Sequence, residues 1–318
     1  MERYSRQELY QNIGKPGQKK ISAASVCVVG IGALGTVASE LLVRAGIGEI
    51  KLIDRDFIEL NNLQRQTLFT ESDVGKIKAE TASETLKKIN SQVNIIPKNL
   101  DLTYENIEVV GKPNVILACT DNMESRFLLN DYALKNNIPF VYGVSVSDKG
   151  YILNVAKGRT CLRCIFKSST EETCDTIGVL NSNTTTIASI MANETIKIIL
   201  GAGYEKDLIR IDFWKNEFSK IKVSQNPKCP ACLGKYEYLF GEKNTTAVKM
   251  CGKEIFQLNG DKKNLDDIEK NLKKLGDVKR FKGILHFKNI TVFEDGRALV
   301  KAKNKTEARK IYDKFIGN

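Results

Sequence analysis

Residues 26–35 read VCVVGIGALG, and LIDRD follows at residues 52–56. The first stretch is apolar up to Gly30 and then becomes a G-x-G-x-x-G turn made by Gly30, Gly32 and Gly35. A buried strand, a glycine turn that opens a helix, and an acid at the end of the next strand are what a dinucleotide-binding βαβ unit needs. The same glycines would let other phosphates approach a helix N-terminus, so the stretch indicates the fold but not the ligand.

Strand and helix patterns alternate through the first half of the chain. ASVCVVG, EIKLIDRD, NVILACTDN and PFVYGVS predict buried parallel strands, and the segments between them have helical spacing. Beyond Gly150, GYILNVA and RIDFWKNEFSKIKV predict antiparallel strands that flank a long helix, TTTIASIMANETIKIILG. The predicted fold class is α/β: a Rossmann-like, mostly parallel sheet continued by antiparallel strands, with a small C-terminal α+β domain.

A polar stretch, GEKNTT, separates the two predicted domains, which comprise residues 1–242 and 248–318. The second would be a small basic β-α-β-β-α domain, in which EDGR forms a hairpin turn. Residues 243–318 hold 19 lysines and arginines against 10 acids. This charge could attract an acidic protein or nucleic acid. Because no basic stripe is interleaved with aromatic residues, a solvated lysine-rich surface is favoured and nucleic acid is not expected.

The composition is that of an ordinary globular protein, with 42% hydrophobic and 27% charged residues. We find no signal peptide and no apolar run long enough for a membrane span, so we expect a cytoplasmic protein with no membrane association. The single histidine, His286, lies in apolar ILHFK and is expected to pack in a strand. Cys27 and Cys119 lie in predicted strands and are expected to belong to the core.

Side chains suited to polyphosphate binding follow the acid of the second strand. Asp54 would accept hydrogen bonds from ribose hydroxyls, which both NAD and ATP offer. Asn62, Arg65, Gln66 and Lys78 come soon after it. A dehydrogenase would need apolar room for a nicotinamide, whereas arginine and lysine neutralise phosphate charge. The cluster therefore favours a triphosphate nucleotide.

A further acid, Asp121 in ACTDN, lies at the predicted carboxyl end of a strand, where ligands of open α/β sheets bind. A carboxylate that faces a triphosphate is best explained by Mg²⁺, which needs oxygen ligands and bridges phosphates. Together with the basic residues, Asp121 indicates ATP as the ligand.

Two CxxC pairs form a second constellation, Cys161 and Cys164 in CLRC with Cys229 and Cys232 in CPAC. Each pair can chelate from one turn, and two pairs complete a tetrahedral thiolate site for zinc. Four protein ligands leave no open position, so the zinc would be structural. A redox CxxC motif or disulfides are the alternatives, and zinc is favoured over both because the doubled motif is specific.

The order of these motifs resembles the ThiF/MoeB/HesA family, bacterial and archaeal relatives of ubiquitin-activating enzymes. The motifs are RYSRQ, VGIGALG, NNLQRQTLF, VGKIKAE, CTDNMESR and the two CxxC pairs. The resemblance implies an adenylyltransferase that uses ATP to activate the C-terminal glycine of a ubiquitin-like sulfur-carrier protein ending in Gly-Gly. It also implies a homodimer and a role in molybdopterin or thiamine biosynthesis or in tRNA thiolation.

The resemblance assigns roles to individual residues. Gly32 would belong to the phosphate loop and Asp54 would contact the ribose. The nucleotide site would also include the following residues: Gly30, Gly35, Asn62, Arg65, Gln66, Lys78, Asp121 and Asn122. Among these, Arg65, Lys78 and Asp121 would be catalytic, with Asp121 holding Mg²⁺. Arg6 matches an arginine that reaches the nucleotide from the other protomer.

Cys174, in EETCDTIGV, matches the family's sulfur-transfer or thioester cysteine, and an incidental loop cysteine is an equal alternative. Relatives usually continue with a glycine- and proline-rich run, whereas this chain has GVLNSNTTTIAS, which leaves the acceptor open. Lys76 and Arg126 are open between ligand contact and structural support, and Asp56 is expected to be structural.

Two other functions remain as alternatives. One is adenylation of a small-molecule carboxylate, as in iron-guanylylpyridinol cofactor synthesis. The other is a non-catalytic scaffold that binds a nucleotide and recruits RNA or protein through the basic C-terminal domain.

Overall fold

Eight strands form one sheet in the order β3-β2-β1-β4-β5-β6-β7-β8 in the computed structural model of the chain. They are β1 (Ser25–Val29), β2 (Glu49–Asp54), β3 (Asn94–Asn99), β4 (Val115–Ala118), β5 (Phe140–Val146), β6 (Lys149–Val155), β7 (Leu208–Asp212) and β8 (Glu217–Ile221). Strands β1 to β5 are parallel, and β6, β7 and β8 pair antiparallel with their neighbours. This is the mostly parallel sheet, continued by antiparallel strands, that the sequence predicts.

The structure describes residues 3–166, 178–243, 255–258, 260, 263–281 and 283–317. The chain divides into two units, Met1–Asn244 and Thr245–Asn318. The predicted zinc ligands and the nucleotide-site residues all lie in the first unit, whereas Cys174 lies outside the described residues.

The helices in the described part of the first unit are α1 (Ser5–Glu8), α2 (Gly14–Ala23), α3 (Ala33–Ala45), α4 (Lys78–Ile89), α5 (Met123–Asn136), α6 (Leu162–Ile165) and α7 (Asn181–Leu200). They include the four predicted helices, here α3, α4, α5 and α7, and three that were not predicted, α1, α2 and α6. Helix α3 ends at Gly46, whose φ of 83° is the left-handed conformation that glycine adopts readily. Helix α7 begins at Asn181, earlier than the TTT predicted to open it. None of the described helices is long and apolar enough to cross a membrane.

The central strands β1 and β4 are buried on both faces, which explains why they are almost entirely apolar, whereas β3 at the edge of the sheet is partly exposed and carries polar residues. On β1, Val26 and Val28 face a layer that includes α3, α4 and α7. Cys27 and Val29 face the opposite layer, which includes α5. Because side chains of a strand alternate between faces, a strand with a helical layer on each side needs an apolar residue at nearly every position.

The strand order reverses at β1, because β2 lies on one side of it and β4 on the other. The turn from β1 to α3 passes close to the end of β4. Gly30 has a φ of 91°, and a Cβ there would lie 2.6 Å from the carbonyl oxygen of Cys119. A Cβ on Gly35 would overlap the carbonyl oxygen of Gly30. The G-x-G-x-x-G turn is therefore required by packing at the switch point, where α/β sheets bind their ligands.

The second unit contains an antiparallel sheet in the order β10-β11-β12-β13-β9. Its elements are β9 (Ile255–Leu258), α8 (Leu265–Leu272), β10 (Lys279–Phe281), β11 (Ile284–Phe287), β12 (Ile290–Phe293), β13 (Ala298–Lys301) and α9 (Lys305–Phe315). Residues such as Leu285, Val292 and Val300 form its core with both helices.

The prediction of β-α-β-β-α for this unit is wrong, because the described residues contain two further strands. The apolar stretch from Ile284 to Phe293 is divided at Lys288, whose φ of 50° ends β11. The other additional strand, β10, has two exposed residues and lacks an apolar alternation. The predicted turn at EDGR does connect β12 and β13, and His286 lies in β11, as expected.

We expect Gly35→Ala to destabilise the protein by on the order of 3 kcal/mol, because the added methyl group has to displace the backbone of the glycine turn. Gly203→Ala is the matched control, since a Cβ there meets no atom within 4 Å. Its stability should stay within about 1 kcal/mol of wild type. Urea unfolding followed by circular dichroism measures both, and equal stabilities of the two variants would contradict the packing argument.

Candidate active site

Asp54 fixes the glycine turn from the end of β2. Its Oδ2 accepts a hydrogen bond from the backbone N–H of Ile31 at 2.5 Å, and its Oδ1 accepts one from the N–H of Asp56 at 2.7 Å. Burial raises the pKa of Asp54, and the positive charge of Lys78 offsets part of this effect. The predicted ribose acid is therefore also the residue that positions the turn.

Lys78 is a buried cation beside the glycine turn. It is the first residue of α4, 7% exposed, and its Nζ lies 3.4 Å from Oδ2 of Asp56. Burial lowers the pKa of Lys78, but the charges of Asp56, Asp54 and Asp121 outweigh that effect and raise it. The ammonium group therefore stays charged at neutral pH. The structure thus brings two predicted site residues, Lys78 and Asp121, into one electrostatic cluster, with Asp121 exposed.

Gln66 faces the glycine turn from the opposite side. Its Nε2 lies 3.7 Å from where a Cβ of Gly32 would be, and the side chain is only 4% exposed. Its Oε1 is buried without a hydrogen-bond partner among the described residues. A buried, unsatisfied amide oxygen is costly, so its position beside the turn is that of a group awaiting a ligand or water. Asn62 is also buried, and its Oδ1 accepts from the N–H of Glu59 at 3.1 Å.

The two predicted arginines differ in position. Arg65 is half-buried, and its Nη1 donates to the carbonyl oxygen of Asn61 at 3.0 Å. Arg6 is exposed on α1, which is anchored by a hydrogen bond from Gln7 to the carbonyl oxygen of Ala45 at 3.0 Å. Ala45 is the last of the 13 residues of α3, and the first, Ala33, directly follows Gly32 of the glycine turn. A helix of that length separates its ends by about 20 Å, so a single chain does not bring Arg6 to the turn.

The start of α5 holds the end of β4 in place. The Oδ1 of Asn122 accepts from the N–H of Ser125 at 2.8 Å and so caps the helix. Arg126 is buried, and its Nε and Nη2 donate to the carbonyl oxygen of Thr120 at 3.0 and 2.5 Å. Through these bonds Arg126 supports the backbone of the segment that carries Asp121. Thr120, whose Oγ1 is buried without a partner in the described part of the chain, was not singled out by the sequence.

Two further charged residues have structural partners. Lys76 is exposed, and its Nζ lies 2.8 Å from Oδ1 of Asp73. Arg55, which sequence reasoning did not single out, joins the end of β2 to Asp101 through an Nη1–Oδ1 contact of 2.9 Å. Burial lowers the pKa of Arg55, but Asp101 outweighs that effect and raises it. No sequence pattern indicates this pairing, because its partner lies after a different strand.

The four predicted zinc ligands form one cluster. Their sulfur atoms lie within 4.8 Å of one another, with separations such as 3.6 Å from Cys161 to Cys229 and 3.5 Å from Cys164 to Cys232. A tetrahedral zinc bound at about 2.3 Å from each sulfur places the sulfurs about 3.8 Å apart, so the cluster fits this metal. The distances exceed the roughly 2.05 Å of a disulfide, which rules out the disulfide alternative in this structure.

Two further cysteines in the described part of the chain lie outside this cluster. Cys27 and Cys119 are buried in the core, as expected, and burial raises the pKa of each thiol to about 12. Both are therefore protonated and unreactive at neutral pH. The role predicted for Cys174 stays a prediction.

Comparison with known proteins identifies the family to which this fold and site belong. Residues 4–231 match the ThiF family, and the chain belongs to that family. It is 37% identical to the sulfur carrier protein ThiS adenylyltransferase of Bacillus subtilis, over 99% of each chain. It is 34% identical to the molybdopterin-synthase adenylyltransferase of Escherichia coli, over 73% of this chain and 96% of that one. These matches confirm the resemblance on which the sequence-based reading depends.

A similar structure has been solved with a nucleotide. The crystal structure of E. coli MccB with ATP has a TM-score of 0.64 and 27% sequence identity, and the match covers 72% of this chain and 73% of that chain. The similarity agrees with the α/β fold described above.

We expect Lys78→Met to destabilise the protein by about 3 kcal/mol at neutral pH, because it leaves the buried carboxylate of Asp54 without the charge that offsets its burial. Lys76→Met, which changes an exposed lysine of the same segment, should cost less than about 1 kcal/mol. Without Lys78 the folded-state pKa of Asp54 should rise further above its already raised wild-type value. The unfolded-state pKa is the same in both proteins, so the deficit relative to wild type should grow as pH rises through the interval between these two folded-state pKa values. Thermal unfolding between pH 4 and 8 tests this, and a deficit independent of pH would contradict the electrostatic account.

Proposed function

We propose that the protein is an ATP-dependent adenylyltransferase that activates the C-terminal glycine carboxylate of a ubiquitin-like sulfur-carrier protein. The observation that carries the proposal is the 37% identity to the Bacillus subtilis ThiS adenylyltransferase over 99% of both chains. The E. coli molybdopterin-synthase relative matches only 73% of this chain. We therefore favour a carrier of the ThiS type, and with it thiamine rather than molybdopterin biosynthesis.

Three features of the site support ATP as the nucleotide. The glycine turn leaves the N-terminus of α3 open to a phosphate group, where the helix dipole favours negative charge. Lys78 supplies a buried positive charge next to the turn. Gln66 places its side-chain amide beside Gly32, from where Nε2 could donate a hydrogen bond to a phosphate oxygen. Phosphates that reach the turn would meet the helix N-terminus and the Lys78 ammonium together.

The proposed reaction is attack of the carrier's terminal carboxylate on the α-phosphorus of ATP, with release of pyrophosphate. Nucleophile and electrophile are both negatively charged, so the barrier is largely electrostatic and fixed cations lower it. Lys78 and Arg65 would supply these charges. Asp121, exposed at the end of β4, would hold Mg²⁺, which would neutralise phosphate charge. A carboxylate is ionised at pH 7, so the attack needs no general base.

Other parts of the molecule fit this proposal. The four-cysteine cluster would hold a structural zinc that ties residues 161–164 to residues 229–232. Arg6 would contact the nucleotide of the other protomer in a homodimer, which agrees with its distance from the glycine turn of its own chain. A cytoplasmic location stays a prediction.

We expect ATP–pyrophosphate exchange that depends on a carrier ending in Gly-Gly. Arg65→Ala should reduce the exchange rate by at least about 100-fold, because a cation near the reacting phosphates is lost. Arg44→Ala is the control: Arg44 is an exposed residue of α3 whose ion pair in the described part of the chain is with Glu40, so its removal should leave exchange unchanged. The assay follows incorporation of labelled pyrophosphate into ATP.

Other outcomes of this assay would select the alternatives. Exchange with a small carboxylate but with no Gly-Gly carrier would indicate small-molecule adenylation. ATP binding without exchange, under every carrier tested, would indicate a non-catalytic scaffold. Either result would overturn the proposed function.

Cys174→Ser should leave pyrophosphate exchange intact and stop only the later transfer of the activated carrier. The reason is that carboxylate adenylation needs no thiol, whereas covalent capture of the acyl group does. Mass spectrometry of the carrier, with and without a sulfur donor, separates the two steps. Loss of exchange in this variant would contradict the division, and unchanged thiocarboxylate formation would assign Cys174 no role in transfer.

A further inference from the structure

Two adjacent residues in the middle of α5, Asn130 and Asp131, are completely buried against the segments that carry the four cysteines. The Oδ1 of Asn130 accepts a hydrogen bond at 3.0 Å from the backbone N–H of Leu162, which lies between the cysteines of CLRC. The Oδ2 of Asp131 accepts one at 3.2 Å from the N–H of Tyr238, in the chain that follows CPAC. Neighbouring residues of one helix therefore reach both cysteine-bearing segments.

The side chain of Arg163 joins the same two segments directly. Its Nη1 lies 3.3 Å from Oδ2 of Asp131, and its Nη2 forms an ion pair with Oε2 of Glu237. The guanidinium also lies 5.3 Å from the ring centre of Tyr238. Only 7% of the Arg163 side chain is exposed, so these contacts are shielded from water. We call Asn130, Asp131, Arg163 and Glu237 the polar clamp.

We propose that the polar clamp holds the two CxxC segments at metal-binding distance before the metal binds, with Asn130 and Asp131 as positioning residues. The two cysteine pairs are far apart in sequence, so an unorganised chain must lose loop entropy to bring them together. Where protein groups already join the segments, the chain loses this entropy when it folds. The loss then does not weaken the free energy of metal binding. Residues that orient metal ligands in this way typically change metal affinity 10- to 100-fold.

The role proposed for the polar clamp does not depend on the adenylation chemistry. Among the described residues, no member of the polar clamp is hydrogen-bonded or ion-paired to the glycine turn. A failed exchange assay would therefore leave the inference standing, and a failed metal assay would leave the proposed function standing.

The first experiment compares two identical substitutions on one helix. Asn130→Leu removes the acceptor for the Leu162 N–H and changes the size of the side chain little. Asn136→Leu is the control, because the side-chain hydrogen bond that Asn136 makes in the described part of the chain goes to the carbonyl oxygen of Tyr132 in its own helix. Zinc dissociation constants come from competition with a chromophoric chelator, and Co²⁺ spectra report tetrahedral thiolate ligation. We expect affinity to fall 10- to 100-fold for Asn130→Leu and to stay within twofold of wild type for Asn136→Leu.

Equal zinc affinities in the two variants would overturn the inference, and so would a wild-type protein that binds neither zinc nor Co²⁺. A second measurement decides the question if Asn130→Leu does not fold. Amide hydrogen exchange on the wild-type protein, stripped of metal by a chelator, should show that the Leu162 N–H stays protected. Loss of this protection on metal removal would mean that the metal organises the segments, and the clamp would have no positioning role.

Discussion

The close approach of β1 and β4 at Gly30 is the constraint from which the rest of the site follows. The turn after β1 passes so near the carbonyl group of Cys119 that a side chain at Gly30 would overlap it. The same contact places the N-terminus of α3 opposite the segment that continues to Asp121. Asp54 then fixes the turn through the N–H of Ile31. Strand order, backbone conformation and the position of the acids are thus one linked arrangement.

The electrostatics of this arrangement centre on the buried ammonium group of Lys78. Three carboxylates keep Lys78 charged although burial opposes it, and Lys78 in turn favours the ionised form of Asp54. A site with this many acids would repel a bare triphosphate. It is better suited to a nucleotide whose charge is partly neutralised by a divalent cation, which agrees with the role proposed for Asp121. The acids and the cation therefore have to be considered as one unit.

Much of this could be predicted from the sequence, because the informative features are local. The strand before G-x-G-x-x-G and the CxxC spacing can each be recognised from a few consecutive residues, because their structural role depends on those residues alone. The features that were missed involve partners far apart in sequence or weak local signals. Arg55 pairs with Asp101, which follows the neighbouring strand. Strand β10 lacks an apolar alternation, so it was absent from the predicted β-α-β-β-α order.

The burial of the core thiols has a consequence for chemical labelling. Of the eight cysteines, Cys27 and Cys119 lie deep in the sheet with pKa values raised to about 12, and four belong to the four-cysteine cluster, where we propose that zinc binds. An alkylating reagent attacks thiolates, so at neutral pH the two core thiols resist it, and bound metal would shield the four. Any sulfur-attached probe that the protein does take up would then have to be on Cys174 or Cys251. Replacing Cys251 would restrict such labelling to Cys174, the residue whose part in carrier transfer is most in question.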